Sequence, residues 1–497
     1  MKRQLLYPVY FLSFLLITTS CSIQTNPVTG KSRLLAYSWS QEIEIGREVD
    51  KEIVNEFGLY DDDAISEYVY SIGNDLLEVS HMRRPDTDRE FRETEFFFKV
   101  LDSPVVNAFA LPGGYTYVTR GLMAHLNNEA QLAMVMGHEI GHVAARHASQ
   151  RTLQQTFGQV LVIGGAVLGQ ELFGLPGESI LNVSSMGAQL LFLSYGRDAE
   201  RESDRLGVEY SAMVGYAAEE GAEFFTSLKR ITERHGAAIP NMLSSHPNPG
   251  EREQNIPKMA NEWREQGYEM TRKNTELYMG MLNGMTFGEN PREGYVDDGE
   301  FLHPDLEFKF PVPAGWQVIN QRQQVVLVGP NQNAVMIFRI DGQSDSAQQS
   351  VQSFIGQDGI TVNEGPEQVL SSGQFNGYRA DVTVQQQEGN LRVIVHAIEF
   401  DGRVYRFINY TGVNRFEEFE DALTTVPFDF DRVTDETVLN IQPVTLHVFQ
   451  AENSGTFRDF LPDELPMGID EEEVAIINQV YLDDYIEAGR YLKIPVQ

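Results

Sequence analysis

His138, Glu139 and His142 stand in the stretch AMVMGHEIGHVAARH, Ala133 to His147. Residues four apart share a helix face, so the two imidazoles lie one turn apart and can grip one small cation. Glu139, one step round, reaches a water beside that cation without binding the cation itself. This His-Glu-x-x-His arrangement is that of a zinc site, where the metal polarises a carbonyl and brings the pKa of its water to about 7. Glu139 then acts as general base, taking the water's proton and returning it to the leaving amine. The bland alternative is the solvated face of an amphipathic helix. Val135, Met136 and Ile140 argue against it, because they bed the site in apolar surroundings. Gly137 and Gly141 each cost about 1 kcal/mol relative to alanine inside a helix, which makes sense where something must approach the backbone closely.

A catalytic zinc needs a third protein ligand and an open position. The stretch RDAERESDRLG offers Glu200, Glu202 and Asp204 on one predicted helix. Glu200 and Asp204 share a face, so the simplest assignment makes Glu200 the ligand and Asp204 the group that orients an imidazole. Glu202 is the rival ligand. A surface ladder with Arg197, Arg201 and Arg205 is the inert reading. His246 precedes a proline in MLSSHPNPGER, six residues ahead of Arg252, and by itself reads as an ordinary turn histidine. His125, His147 and His235 have only an inert reading.

Several elements must position these groups. Apolar spacing predicts two helices between Trp39 and Val79, and FFFKVLDS (Phe96 to Ser103) reads as a strand. Asn107 to Met123 reads as a hairpin turning at Pro112-Gly113-Gly114, and Asn127 or Asn128 is placed to cap the motif helix. Leu191 to Tyr216 reads as the helix that brings Glu200. The apolar, glycine-rich run Phe157 to Gly177 is too short and broken for a membrane span and reads as a buried or flap-like helix over a cleft. Beyond about Phe301, short alternating runs predict an antiparallel sheet with helices over Ala347–Gln357 and Arg415–Val426.

At 497 residues the chain exceeds one ordinary core. The expected fold class is α+β. A mainly helical zincin-type domain with a small β-sheet (21–275) is followed by a linker (276–300), a β-rich α+β domain (301–432) and a strand–helix–helix–strand block (443–497). With 72 acidic against 38 basic residues and a net charge of −34, a nucleic-acid partner is excluded. Residues 1–20 have a signal peptide's pattern: Lys2 and Arg3, an apolar run from Leu5 to Ile17, then Thr18, Thr19 and Ser20. Cys21, the only cysteine, follows directly, as at a lipidation site, although Thr18 stands where leucine is usual. A lipid anchor is then the one expected contact with a membrane, and no internal disulfide is possible.

Together GHEIGHVAARH, the Glu200–Asp204 pair, SSHPNPGER and the opening NPVTGKSRLLAYSWSQEIEIGREVDKEI resemble the HtpX-like and CAAX-prenyl-protease-type zinc metallopeptidases, in their periplasmic BepA-like lipoprotein branch. The resemblance covers about Asn26 to Arg272. It implies one zinc per chain held by His138, His142 and Glu200, with Glu139 as base and Asp204 supporting an imidazole. It puts His246 beside the metal, capping the open position or steadying the oxyanion, and Arg252 as the residue holding that loop. NAFALP resembles the edge strand that pairs with substrate, with Asn107, Ala108 and Phe109 as substrate-binding residues. The implied activity is endopeptidase cleavage of unfolded or misassembled envelope proteins in the bacterial periplasm, from an outer-membrane anchor. One departure stands out: the branch continues into tetratricopeptide helices, and this chain continues into β-rich sequence. The terminal block resembles a LysM module at Leu446–Phe460 and Asn478–Pro495, with Asn453-Ser454-Gly455 replacing the usual Gly-Asp pair, so peptidoglycan is a candidate partner. Two other functions remain open, a latent His246-capped protein acting as a chaperone-like binder and a wall-binding lipoprotein.

Overall fold

Ser38 and Gln41 open the first long helix with a reciprocal cap. The Ser38 hydroxyl accepts from the Gln41 amide while the Gln41 side chain accepts from the Ser38 amide. That helix, α1 (Trp39–Phe57), and α2 (Asp63–Val79) are the two predicted from apolar spacing. The computed structural model describes residues 22–153, 195–235, 242, 246, 249–385 and 389–497. Residues 1–20, read from sequence as a signal peptide, Cys21 and the apolar run Phe157 to Gly177 lie outside the described residues.

A three-stranded sheet follows, formed by β1 (Phe97–Leu101), β2 (Ala108–Leu111) and β3 (Tyr115–Thr119) in the order β1-β3-β2. The β2–β3 pair is antiparallel, as the Pro-Gly-Gly turn predicts, and β1 runs parallel to β3. The strand of the NAFALP stretch is therefore an edge. After α3 (Arg120–His125) comes the motif helix, α4 (Glu129–Ala145), capped by the Asn128 side chain, which accepts from the Gln131 amide. Helices α5 (Arg197–Val214), α6 (Gly221–His235) and α7 (Pro249–Glu265) complete the scaffold.

Every residue of α4 is buried, Glu129 through Ala145. It is the central helix of the domain, with no solvated face, because α2, α5, α6 and the small sheet all pack on it. The glycines explain how α5 comes so close. A Cβ on Gly137 would stand 3.2 Å from Gly207 Cα, and one on Gly207 would stand 3.0 Å from the His138 amide nitrogen. The two backbones touch where no side chain intervenes.

Residues 276–300 were expected as a linker. They begin inside α8 (Thr275–Leu282), whose Tyr278, Met279 and Leu282 are buried in the same core as α4. The helical repeat of apolar residues there is short and its neighbours are polar, which hid it.

The 301–432 region is built on a seven-stranded, wholly antiparallel sheet. Its strands are β4 (Gln317–Gln321), β5 (Gln324–Val328), β6 (Ala334–Ile340), β7 (Ile360–Leu370), β8 (Asn376–Val384), β9 (Leu391–Phe400) and β10 (Arg403–Gly412), in the order β7-β8-β9-β10-β6-β5-β4. Helix α9 (Ala347–Ile355) covers one face and α10 (Phe416–Phe428) the other, each over its own core. In the terminal block β11 (Thr445–Gln450) pairs antiparallel with β12 (Tyr491–Val496). Between them, the first expected helix is a four-residue 3-10 turn, Phe457–Phe460, and the second is α11 (Glu471–Ile477). Leu446, Ile476 and Ile477 join the core of α4. Lys493, fully buried, donates to the carbonyls of Ala124 and Leu126 at 2.7 Å each, capping the end of α3. The block is thus packed against the helical domain.

Candidate metal centre

Helix α4 presents His138 and His142, α5 presents Glu200, and His246 stands three residues before α7. One donor atom from each lies within 4.8 Å of all the others, and all four residues are buried. His138 Nε2 is 3.0 Å from His142 Nε2 and 3.2 Å from His246 Nδ1. Glu200 Oε1 is 3.1 Å from His246 Nδ1 and 3.5 Å from His142 Nε2, and Glu200 Oε2 is 3.6 Å from His138 Nε2. Zinc bonds of 2.0–2.1 Å in a tetrahedron separate neighbouring donors by about 3.3 Å. The observed spacings bracket that edge, and a donor set of three imidazoles and a carboxylate suits zinc. The buried Glu139 Oε1 has no hydrogen-bond partner among the described residues and lies 3.5 Å from His246 Nε2. A buried carboxylate oxygen beside such a cluster, with no hydrogen bond among the described residues, suits a general base.

The supports behind these groups are equally defined. Asp204 Oδ1 stands 2.9 Å from His138 Nδ1, and Asp204 Oδ2 accepts from Arg252 Nε at 3.0 Å. Arg252 also donates to Glu200, and its guanidinium lies over the Phe225 ring. Burial alone would raise the Glu200 carboxyl, but His246, His138 and Arg252 outweigh it and hold the pKa down to about 2. Burial drives His142 well below the ordinary histidine value, assisted by the surrounding positive groups. Burial would lower His246 as well, yet the carboxylates of Glu200 and Glu139 raise it.

Each residue proposed from sequence can now be located. His138, His142, Glu200, His246, Glu139, Asp204 and Arg252 converge on one buried group. Glu202, the rival ligand, points away and meets His147 at 3.3 Å. Asn107 leads into the edge strand, with Ala108 and Phe109 in it, and its buried side-chain oxygen has no hydrogen-bond partner among the described residues. Phe109 and Leu111 lie opposite Tyr117 and Tyr115, and the Asn107 carbonyl accepts from the Thr119 amide. Antiparallel alternation then turns the peptide groups of Ala108 and Ala110 toward the open edge.

Sequence reasoning missed three neighbours. Tyr195 stacks on the His142 ring with centroids 4.1 Å apart. His147 touches the far side of His142. Arg146 ends α4 in a left-handed turn, φ 59°, and its guanidinium bonds to Glu42, Gln24 and the Tyr37 carbonyl. The sequence signal for the Arg146 contacts is the opening from Asn26 onward, which supplies Tyr37 and Glu42. The Asn26 side chain donates to the Ala145 carbonyl at 2.8 Å, and Gln24 joins the Arg146 cluster.

Residues 76–260 match the model described as Peptidase family M48, which spans the elements that carry the cluster. The chain is 29% identical to the beta-barrel assembly-enhancing protease of Escherichia coli K12, over 49% of this chain and 48% of that protein. It is 27% identical to the mitochondrial metalloendopeptidase OMA1 of Bos taurus, over 48% of this chain and 46% of the other. With the mitochondrial metalloendopeptidase OMA1 of Arabidopsis thaliana the identity is 34%, over 30% and 28% of the two chains. The chain thus spans less than half the length of these relatives. Among solved structures, the PsbP protein of Synechocystis sp. PCC 6803 is similar over 28% of this chain and 96% of its own, at 14% identity and a TM-score of 0.24, too slight a likeness to carry an argument.

Proposed function

We propose that the protein is a zinc metalloendopeptidase of the cell envelope, held latent by His246. The observation that carries this is the convergence of His138, His142, Glu200 and His246 with Glu139 beside them. Zinc, when bound there, polarises the peptide carbonyl and makes water a nucleophile near neutral pH. His138, His142 and Glu200 would hold it, and Glu139 would take the proton from the attacking water and deliver it to the leaving amine. Asp204 orients His138, and Arg252 ties Asp204 to Glu200. His246 would be a fourth ligand to that ion, and a substrate carbonyl could take its place only once the imidazole is displaced. The outward peptide groups of Ala108 and Ala110 suit an extended substrate strand, with Asn107 and Phe109 beside it.

Relatives named as assembly-enhancing proteases support unfolded or misassembled envelope proteins as the substrate class. In this reading the chain is HtpX-like within the peptidase group, exported, and anchored to the outer membrane through a lipid on Cys21. Among the described residues no helix is long and apolar enough to cross a membrane. The terminal block is read as LysM-like and offers contact with peptidoglycan.

The test is casein cleavage by the purified chain, with Glu139→Gln and His246→Ala run alongside and zinc content measured. Slow cleavage by wild type is expected to speed up in His246→Ala. Glu139→Gln should lose about 10²- to 10⁴-fold while keeping its zinc. No cleavage by any variant at full zinc occupancy would favour a binding role.

A further inference from the structure

His142 is held from behind by a second imidazole. Its Nδ1 lies 3.0 Å from His147 Nδ1, and His147 Nε2 lies 3.3 Å from Glu202 Oε2. Ser203 Oγ stands 3.3 Å from the same His147 Nδ1. His142 and His147 are buried, while the Glu202 side chain is 25% exposed.

A neutral imidazole carries one proton on one of its two nitrogens. His142 Nε2 faces His138 Nε2 and Glu200, so a metal ligated there uses the Nε2 lone pair. The His142 proton then sits on Nδ1 and needs an acceptor. The nearest nitrogen is His147 Nδ1, which accepts only if His147 carries its own proton on Nε2. There Glu202 receives it. Both tautomers follow from the two ends of the chain, a metal at one and a carboxylate at the other.

We propose that His147 and Glu202 are positioning residues, a relay in series that fixes His142 as an Nε2 ligand and sets its ring orientation. The inference rests on the zinc reading of the site. It makes the two histidine ligands unequal in their support. His138 leans directly on the Asp204 carboxylate, whereas His142 leans on an imidazole with a carboxylate one step further out. The placement depends on the left-handed turn at Arg146. That turn ends α4 and starts a new helical run at 147–153, and so brings His147 back beside His142.

Zinc affinity measured by competition with a chromogenic chelator tests the relay. The full chain is used as wild type, His147→Leu, His147→Gln, Glu202→Ala and the double variant His147→Leu/Glu202→Ala. His147→Leu and Glu202→Ala should each weaken zinc binding by about 10- to 100-fold. The double variant should bind no more weakly than His147→Leu, because the two act in series. His147→Gln keeps an amide oxygen that accepts from His142 Nδ1–H, and should recover most of the affinity. Melting of the zinc-free chains controls for folding, and Glu202→Ala, partly exposed, keeps the relay testable if His147→Leu does not fold. Wild-type affinity in Glu202→Ala and His147→Leu, or losses that add in the double variant, would overturn the relay. A wild type that binds no zinc would instead overturn the metal reading itself.

Discussion

Arg146 shows how much of the site depends on a residue that touches no donor atom. Its guanidinium is fully buried and donates to Glu42 at 2.6 and 3.0 Å, to Gln24 at 2.7 Å and to the Tyr37 carbonyl at 3.0 Å. Burial raises the Glu42 carboxyl despite the opposing pull of Arg146, so Glu42 depends on that partner for its charge. Removing one member of a buried pair strands the other, at about 3–5 kcal/mol. Arg146→Ala is therefore expected to destabilise the helical domain by that order in denaturant melts, and Glu42→Gln by less. Equal, negligible losses in both would show that the pair is dispensable. The same substitution should disturb His147, because Arg146 forms the turn that places it.

Among the elements, the crossing of α4 and α5 sets the ligand geometry. On α5 the residues facing α4 are Glu200, Ser203, Asp204 and Gly207, a stripe with helical spacing. Gly207 fixes how closely that stripe approaches. A Cβ there would meet the His138 amide nitrogen at 3.0 Å and the Met134 carbonyl oxygen at 3.1 Å, both backbone atoms of a fully buried helix. Gly207→Val should therefore push α5 outward. A loss of about 1–3 kcal/mol in thermal melts is expected, from overpacking. A larger relative loss of zinc affinity should accompany it, because Glu200 travels with the helix. Unchanged melting and unchanged zinc binding would show that the crossing tolerates a wider spacing.

For the whole molecule, acid is the expected stress. His396 on β9 has no exposed surface, and neither ring nitrogen has a partner among the described residues. Burial, aided by the charge of Arg379, pushes its pKa down to about 3. The folded chain keeps this imidazole neutral while the unfolded chain protonates it near pH 6.5. Stability is thus intact above pH 6.5 and is lost as pH falls toward 3, by about 2 kcal/mol between pH 7 and pH 5 for this one group. Burial likewise lowers His303, His81 and His125 to about 4, so all four act in the same direction. Melting across that range should show the decline, and His396→Leu should flatten it. An identical slope in the variant would remove His396 as a cause. The terminal block makes a second prediction at this scale. Lys493→Met leaves the carbonyls of Ala124 and Leu126 without their donor, and should cost about 1–3 kcal/mol in melts of the full chain.

How much was legible in the chain follows from how local each feature is. His138, Glu139 and His142 could be read at once, because a helix fixes which residues share a face whatever surrounds it. Helices α1 and α2, the β2–β3 hairpin and the antiparallel character of the 301–432 region were legible for the same reason, since capping, turn residues and alternation act over a few neighbours. The choice between Glu200 and Glu202 was not, because residues two apart point to nearly opposite sides of a helix and only the packing of α5 at Gly207 decides which side meets α4. The burial of α4 on every side, the packing of Thr275–Leu282 into the core and the docking of the terminal block all depend on elements far apart in the chain. His147 looked inert because its role is created by the reversal at Arg146, and His246 looked like a turn residue because its partners lie 46 and 108 positions away. Local geometry wrote the chemistry into the chain; the close approach of two helices and one loop decided which side chains surround it.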